Sequence, residues 1–263
     1  MNEFTQEPLR LLQADLLKAA VYANRETMGR AAAVHVKDIL NKLLQDQEEV
    51  RIVVGSAPSQ DEFFANLVAA TVEPDVDWSR VVVFHMDEYI GLAGDHPQSF
   101  RKYQQEHFIS KIPVKAFHAI QGEAGDPEAE CRRLEELLAE APIDLACCGI
   151  GENGHLAFND PPVADFEDPR LVKVVEMDTV CRQQQVNDGC FPDLESVPTH
   201  AITLTLSVFV QAHCLSCVVP ARTKAQAVAN TLLGPIGTEC PATLMRRHSR
   251  ARLFLEPESA SLL

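Results

Sequence analysis

Short runs of consecutive apolar residues alternate along this chain with segments whose apolar positions recur at helical spacing. Residues 17–22, 51–55, 81–86 and 143–148 read as strands, and the last two are apolar at nearly every position, the pattern of strands covered on both faces. Helical spacing follows over residues 24–45, with Asn24 as N-cap, and over 60–71, where Ser59 and Glu62 form an S-x-x-E capping box. Residues 99–112 predict a third helix, and Asp126-Pro127 opens a fourth that runs to about residue 141. Strand-like runs recur at 171–175, 202–206, 215–219 and 252–255, with helical patterns at 223–233 and 242–247. The sum is an α/β fold: a doubly wound, mostly parallel sheet with helices on both faces. No composition shift or Pro/Gly/Ser linker interrupts it, so residues 1–263 read as a single domain.

Composition narrows the partners. With 263 residues, 46% of them apolar, the chain can bury a core without disulfide or metal. The 23 Lys and Arg against 38 Asp and Glu give a net charge of −15, spread along the chain, which argues against nucleic acid and against an anionic membrane surface. An anionic ligand would have to be held by a few local cations. The most apolar stretch, 201–221, is broken by Gln211 and His213, and the first residues carry acid where a signal peptide needs base, so the chain reads as cytoplasmic. Of eight cysteines, Cys147, Cys148, Cys190, Cys214 and Cys217 lie in or beside apolar runs and read as buried thiols. The Cys214-x-x-Cys217 pair after His213 has no second cysteine pair, so no metal is expected there.

In open parallel sheets, ligands bind where loops leave the carboxyl ends of strands. Two segments stand out at such ends. Phe84-His85-Met86-Asp87-Glu88-Tyr89-Ile90-Gly91-Leu92 ends a buried strand in adjacent carboxylates, an arrangement also compatible with a solvated loop or a helix cap. Cys148-Gly149-Ile150-Gly151-Glu152-Asn153-Gly154-His155 continues through Asn159-Asp160-Pro161, placing a histidine on a glycine-rich loop with a carboxylate five positions later. Although Gly149, Gly151 and Gly154 satisfy G-x-G-x-x-G, the residues after them do not open a helix, which excludes the dinucleotide fingerprint.

These two segments resemble the glucosamine-6-phosphate deaminase family, whose sister group is the 6-phosphogluconolactonases. The resemblance extends from Val53 to the Leu253-Phe-Leu-Glu-Pro-Glu-Ser end. Met86 to Leu92 followed by His96-Pro97-Gln98-Ser99 is close to the deaminase form, and Tyr89 stands where the lactonases carry Arg. The resemblance implies cofactor-free aldose–ketose isomerisation with loss of an amine, with glucosamine 6-phosphate as leading substrate and fructose 6-phosphate and ammonia as products. It assigns Asp87 the proton shuttle between C2 and C1, and His155, oriented by Asp160, the opening of the sugar ring, with Asn153 and Glu88 in support. Asp160 stands where the family usually has Glu, one methylene longer, which leaves the reach to His155 open.

For the phosphate, the resemblance points to the loop Gly55 to Gln60, with Ser56, Ala57 and Ser59, together with Gly154 and Lys224. The same loop is compatible with a capped helix that holds no ligand, since Pro58 lacks an N–H and Asp61 and Glu62 add negative charge. Gln185 occupies the family's arginine position, and Arg182, one helical turn earlier, is the substitute candidate. The polar run Gln183 to Asp188 either lines the same cleft or is a solvated loop. Two rival functions remain: a lactonase using His155 as base on water, and a sugar-phosphate sensor without turnover. The latter is disfavoured by the retained carboxylates and histidine and by the lack of a DNA-binding segment before Leu17. Members of the family often assemble, so a homo-oligomer is a further expectation.

Overall fold

The computed structural model describes residues 7–69 and 75–263. In chain order its elements are β1 (Arg10–Ala14), β2 (Leu17–Val21), α1 (Arg25–Asp46), β3 (Val50–Val54), α2 (Asp61–Val68), β4 (Val81–His85), β5 (Asp87–Tyr89), α3 (Phe100–His107) and β6 (Ala116–His118). They continue with α4 (Pro127–Ala139), β7 (Leu145–Cys148), β8 (Val172–Glu176), α5 (Thr179–Asn187), β9 (His200–Leu204), α6 (Leu206–Gln211), β10 (Cys214–Val219), α7 (Ala225–Leu233) and β11 (Ala251–Leu255). Eight strands form one sheet in the order β1-β2-β11-β10-β7-β3-β4-β6. Every pairing in it is parallel except β1 with β2. A second, three-stranded antiparallel sheet, β5-β9-β8, stands beside it.

The apolar runs behave as strands buried on both faces. In β3, Val50, Ile52 and Val54 pack on one side with α1 and α2, while Val53 joins the opposite layer with α4, α6 and α7. The same alternation divides β7, β4 and β10. It also sends Cys214 and Cys217 to opposite faces, so these two thiols do not converge on one metal. All eight cysteines are free.

The strand order places the site. From β3 the chain winds outward through β4 to β6, then returns to β7 on the other side of β3 and winds away through β10 and β11. The direction of winding reverses between β3 and β7, and the loops leaving their carboxyl ends diverge to open a crevice. The glycine-rich segment and the Gly55–Gln60 loop are those two loops.

Local chemistry sets the start of three of the helices, α1, α3 and α4. Asn24 caps α1 by accepting the Thr27 N–H at 2.9 Å, and Thr27 accepts the Asn24 N–H in return. Asp126 caps α4 ahead of Pro127. Ser99 caps α3, which ends at His107 and gives way to a 3-10 turn over Ile109–Lys111. The capping box expected at Ser59 and Glu62 does not form. A 3-10 turn over Pro58–Gln60 precedes α2, no side chain caps it, and Arg25 takes the Glu62 carboxylate at 2.8 Å. The expected end of that helix, at residue 71, lies outside the described residues, and α2 stops at Val68. Residues 241–247 form a 3-10 helix.

Candidate active site

Asp87 opens β5, where pairing to Thr203 of β9 carries it out of the main sheet and over the crevice. Its carboxyl is buried and lines the cleft. Burial pushes its pKa well above the ordinary carboxyl range, and the nearby charges of Glu88 and Asp160 push the same way. A carboxyl poised in this way can accept a carbon-bound proton and return it.

Glu88 points elsewhere. It accepts backbone N–H groups from Tyr89, Phe100 and Arg101 and the Ser99 hydroxyl, at 2.8 to 3.1 Å. Three of these four donors belong to the start of α3 and the fourth to β5 itself, so its support is structural: it ties the β5 strand to that helix. From α3, Gln104 donates to the Gly55 carbonyl at 2.7 Å and to the Ser56 hydroxyl oxygen at 2.9 Å. This leaves the Ser56 hydrogen free to donate into the cleft.

Across the cleft, His155 Nδ1 meets Asp160 Oδ1 at 2.7 Å. The shorter aspartate therefore does reach the imidazole. Asn153 spans the turn, accepting the His155 backbone N–H at 3.1 Å and donating to Asp160 Oδ1 at 2.9 Å. The other Asp160 oxygen accepts the Asp178 N–H at 3.1 Å. Burial alone would raise the Asp160 pKa, but His155, Asn153 and the Asp178 N–H outweigh it and hold the carboxyl below its ordinary value. An ionised Asp160 can only accept, so Nδ1 carries the hydrogen and Nε2 is left as the basic nitrogen. Asp160 and Asn153 lie behind the imidazole, not in the cleft lining.

Two glycines make this turn. At Gly151 any Cβ would overlap the His155 ring. Gly154 has φ +85°, and a Cβ there would lie 2.6 Å from Cys240 Sγ. Gly154 does not line the cleft, and its role is to shape the loop. Ala157, which does line it, also holds a positive φ of 49°.

At the other end, Ser56, Ala57 and Ser59 line the cleft, as does Lys224 from the turn after β10. The Lys224 ammonium is buried and has no hydrogen-bond partner among the described residues, and burial lowers its pKa. Arg182 is not there. Its guanidinium donates instead to the Leu194 and Val197 carbonyls at 2.6 and 2.9 Å, and it does not line the cleft. The residues of α5 that do face the cleft are Gln184 and Gln185, with Asp188 at its end. Phe100 and Phe158, stacked at 5.6 Å between centroids, wall one side.

Sequence reasoning missed three supporting residues. They are Gln104, Asp178 and Cys181, whose sulfur lies with the His155 and Asp160 ligand atoms within a 4.8 Å cluster. No motif marks them, because each acts through a neighbour.

Comparison with known proteins decides the family. The family model described as glucosamine-6-phosphate isomerases/6-phosphogluconolactonase matches residues 23–254. The chain belongs to this family. Among its relatives, the glucosamine-6-phosphate deaminase of Listeria monocytogenes serotype 4a (strain HCC23) is 37% identical over 212 residues, 81% of this chain and 86% of that one. The Streptococcus pneumoniae serotype 4 enzyme of the same name is 31% identical over 247 residues, 94% of this chain and 100% of its own. The solved structure of a monomeric glucosamine-6-phosphate deaminase superposes with a TM-score of 0.83 at 25% identity, covering 93% of this chain and 99% of that one. A 6-phosphogluconolactonase from Thermotoga maritima shares the fold, with a TM-score of 0.71 at 18% identity over 91% of this chain and 100% of its own.

Proposed function

We infer that this chain, as one domain, is a deaminating aldose–ketose isomerase that converts glucosamine 6-phosphate to fructose 6-phosphate and ammonia. The observation that carries the reading is the convergence of Asp87 and the His155–Asp160 pair on one cleft, with the Lys224 ammonium, which has no hydrogen-bond partner among the described residues, at its other end. The named relatives support the substrate.

His155 Nε2 takes up and returns the proton that moves when the pyranose opens, while Asp160 holds Nδ1 and faces the imidazolium that forms. Asp87 then removes the C2 proton of the open aldehyde and delivers it to C1. That transfer, together with passage of one proton from the nitrogen to the former aldehyde oxygen, turns the C2 amine into an imine and C1 into an alcohol, and water hydrolyses the imine to the ketone and ammonia, so the atoms balance with no redox cofactor. The phenyl wall of Phe100 and Phe158 limits water at the reacting carbons. Ser56, the Ala57–Ser59 turn and Lys224 receive the phosphate. No helix among the described residues is long and apolar enough to cross a membrane, and a cytoplasmic setting suits a sugar-phosphate substrate.

A coupled assay of ammonia release from glucosamine 6-phosphate tests the reading. Turnover abolished by Asp87→Asn is the expected result. Silence with every hexosamine phosphate, or lactone hydrolysis that persists in Asp87→Asn, would replace it with the hydrolase alternative, in which water is activated without a carbon-to-carbon proton shuttle.

A further inference from the structure

The phosphate end of the cleft has a charge balance of its own. Among the described lining residues Lys224 is the one cation, and its Nζ lies 3.9 Å from the Asp188 carboxylate. Asp188 is anchored by Gln184, whose Nε2 donates to Oδ2 at 3.3 Å while its own oxygen accepts the Glu152 N–H at 2.8 Å. Gln185 is fixed through its oxygen, which accepts the Tyr89 hydroxyl at 2.8 Å, leaving its NH2 as a neutral donor. One face of α5 and its end thus offer the cleft two carboxamides and a carboxylate. Lys224 and Asp188 sum to zero formal charge before any ligand arrives.

A phosphate monoester carries nearly two negative charges near neutral pH. Here it meets one lysine already faced by a carboxylate, plus hydroxyl and carboxamide donors that supply hydrogen bonds but no compensating positive charge. Those same donors suit a sugar hydroxyl as well as a phosphate oxygen. We propose that Asp188 and Gln185 are specificity-determining residues that keep the cleft's affinity for phosphate low, so that the enzyme accepts a free hexosamine alongside its 6-phosphate. The proposal rests on the deaminating-isomerase reading for its substrate class; the charge arrangement itself does not depend on turnover.

Asp188→Asn is the informative change, because the asparagine oxygen can still accept from Gln184 while the charge facing Lys224 disappears. Calorimetric titration with inorganic phosphate is expected to show binding at least about tenfold tighter than in the unaltered protein, a change equivalent to about 1.4 kcal/mol. Phosphate binding unchanged or weakened in both Asp188→Asn and Asp188→Ser would overturn the proposal. In the ammonia assay, the kcat/KM preference of the unaltered enzyme for glucosamine 6-phosphate over glucosamine is expected to stay below about a hundredfold and to rise in Asp188→Asn, since only the phosphate gains from a freed ammonium. A preference above that bound in the unaltered enzyme overturns it. Ammonia from neither sugar would refute the isomerase reading alone, because the phosphate titration still reads the charge balance.

Discussion

Asp160→Asn keeps the shape of a buried side chain and removes its charge, and the surrounding donors set the cost. Oδ1 accepts from His155 Nδ1 at 2.7 Å and from Asn153 Nδ2 at 2.9 Å, while Oδ2 accepts the Asp178 N–H at 3.1 Å. A carboxylate satisfies all three donors. A carboxamide has one acceptor, and its oxygen is best placed toward the two donors on the His155 side, which turns the NH2 against the Asp178 N–H. One unpaired buried donor costs about 1–3 kcal/mol of stability. The larger effect falls on catalysis. When Nε2 takes a proton, the imidazolium no longer faces a negative charge about 4 Å away; at an effective dielectric of about 20, that interaction is worth about 4 kcal/mol. Each 1.36 kcal/mol is about tenfold in rate, so ring opening should slow by about 1,000-fold with little change in KM. The assay is steady-state ammonia release, with circular dichroism and a thermal melt run on the same preparation. A kcat lowered by less than about tenfold in a folded variant would show that His155 accumulates no positive charge in the slow step, and the role assigned to the pair would be wrong.

Three other outcomes follow from the same geometry. Because Asp87 holds its proton more tightly folded than unfolded, its contribution to stability is present at low pH and lost as pH rises through the raised folded value. Asp87→Asn, with no proton to lose, should therefore raise Tm at pH 8, by about 2–4 °C per kcal/mol regained, while removing activity; a lower Tm than the unaltered protein at that pH contradicts the burial argument. Gly151→Ala should cost at least about 100-fold in kcat by displacing the imidazole, with only a small loss of thermal stability, and near-normal turnover would mean the ring has room to move. Arg182→Ala should lower unfolding free energy by about 1–3 kcal/mol through the two freed carbonyls and leave KM for glucosamine 6-phosphate unchanged, and a tenfold rise in KM would return Arg182 to the anion site.

What was legible in the sequence was whatever acts through local pattern. The largely apolar runs at β3, β4, β7 and β10 disclosed a sheet covered on both faces, and the carboxyl ends of those strands pointed to Asp87 and His155. The antiparallel sheet β5-β9-β8 stayed hidden because β5 is three residues long, too short for a period to show, although it carries Asp87 over the crevice. The edge strand β1 was missed for a related reason: Leu9 and Leu11 are exposed, so hydrophobicity there does not mark an inner face. Arg182 illustrates a different limit. Sequence spacing put it one turn from Gln185, but on a 3.6-residue helix a shift of three residues turns the side chain by about 60°, and that rotation was enough to direct it to the Leu194–Val197 loop. Charge type is readable from a sequence, whereas the direction in which a charge points is decided by what packs against its helix. The same reasoning governs Glu88, adjacent to Asp87 yet facing the opposite way, because successive residues of a strand alternate sides. Two neighbouring carboxylates thus divide the work, one anchoring α3 and the other facing the cleft.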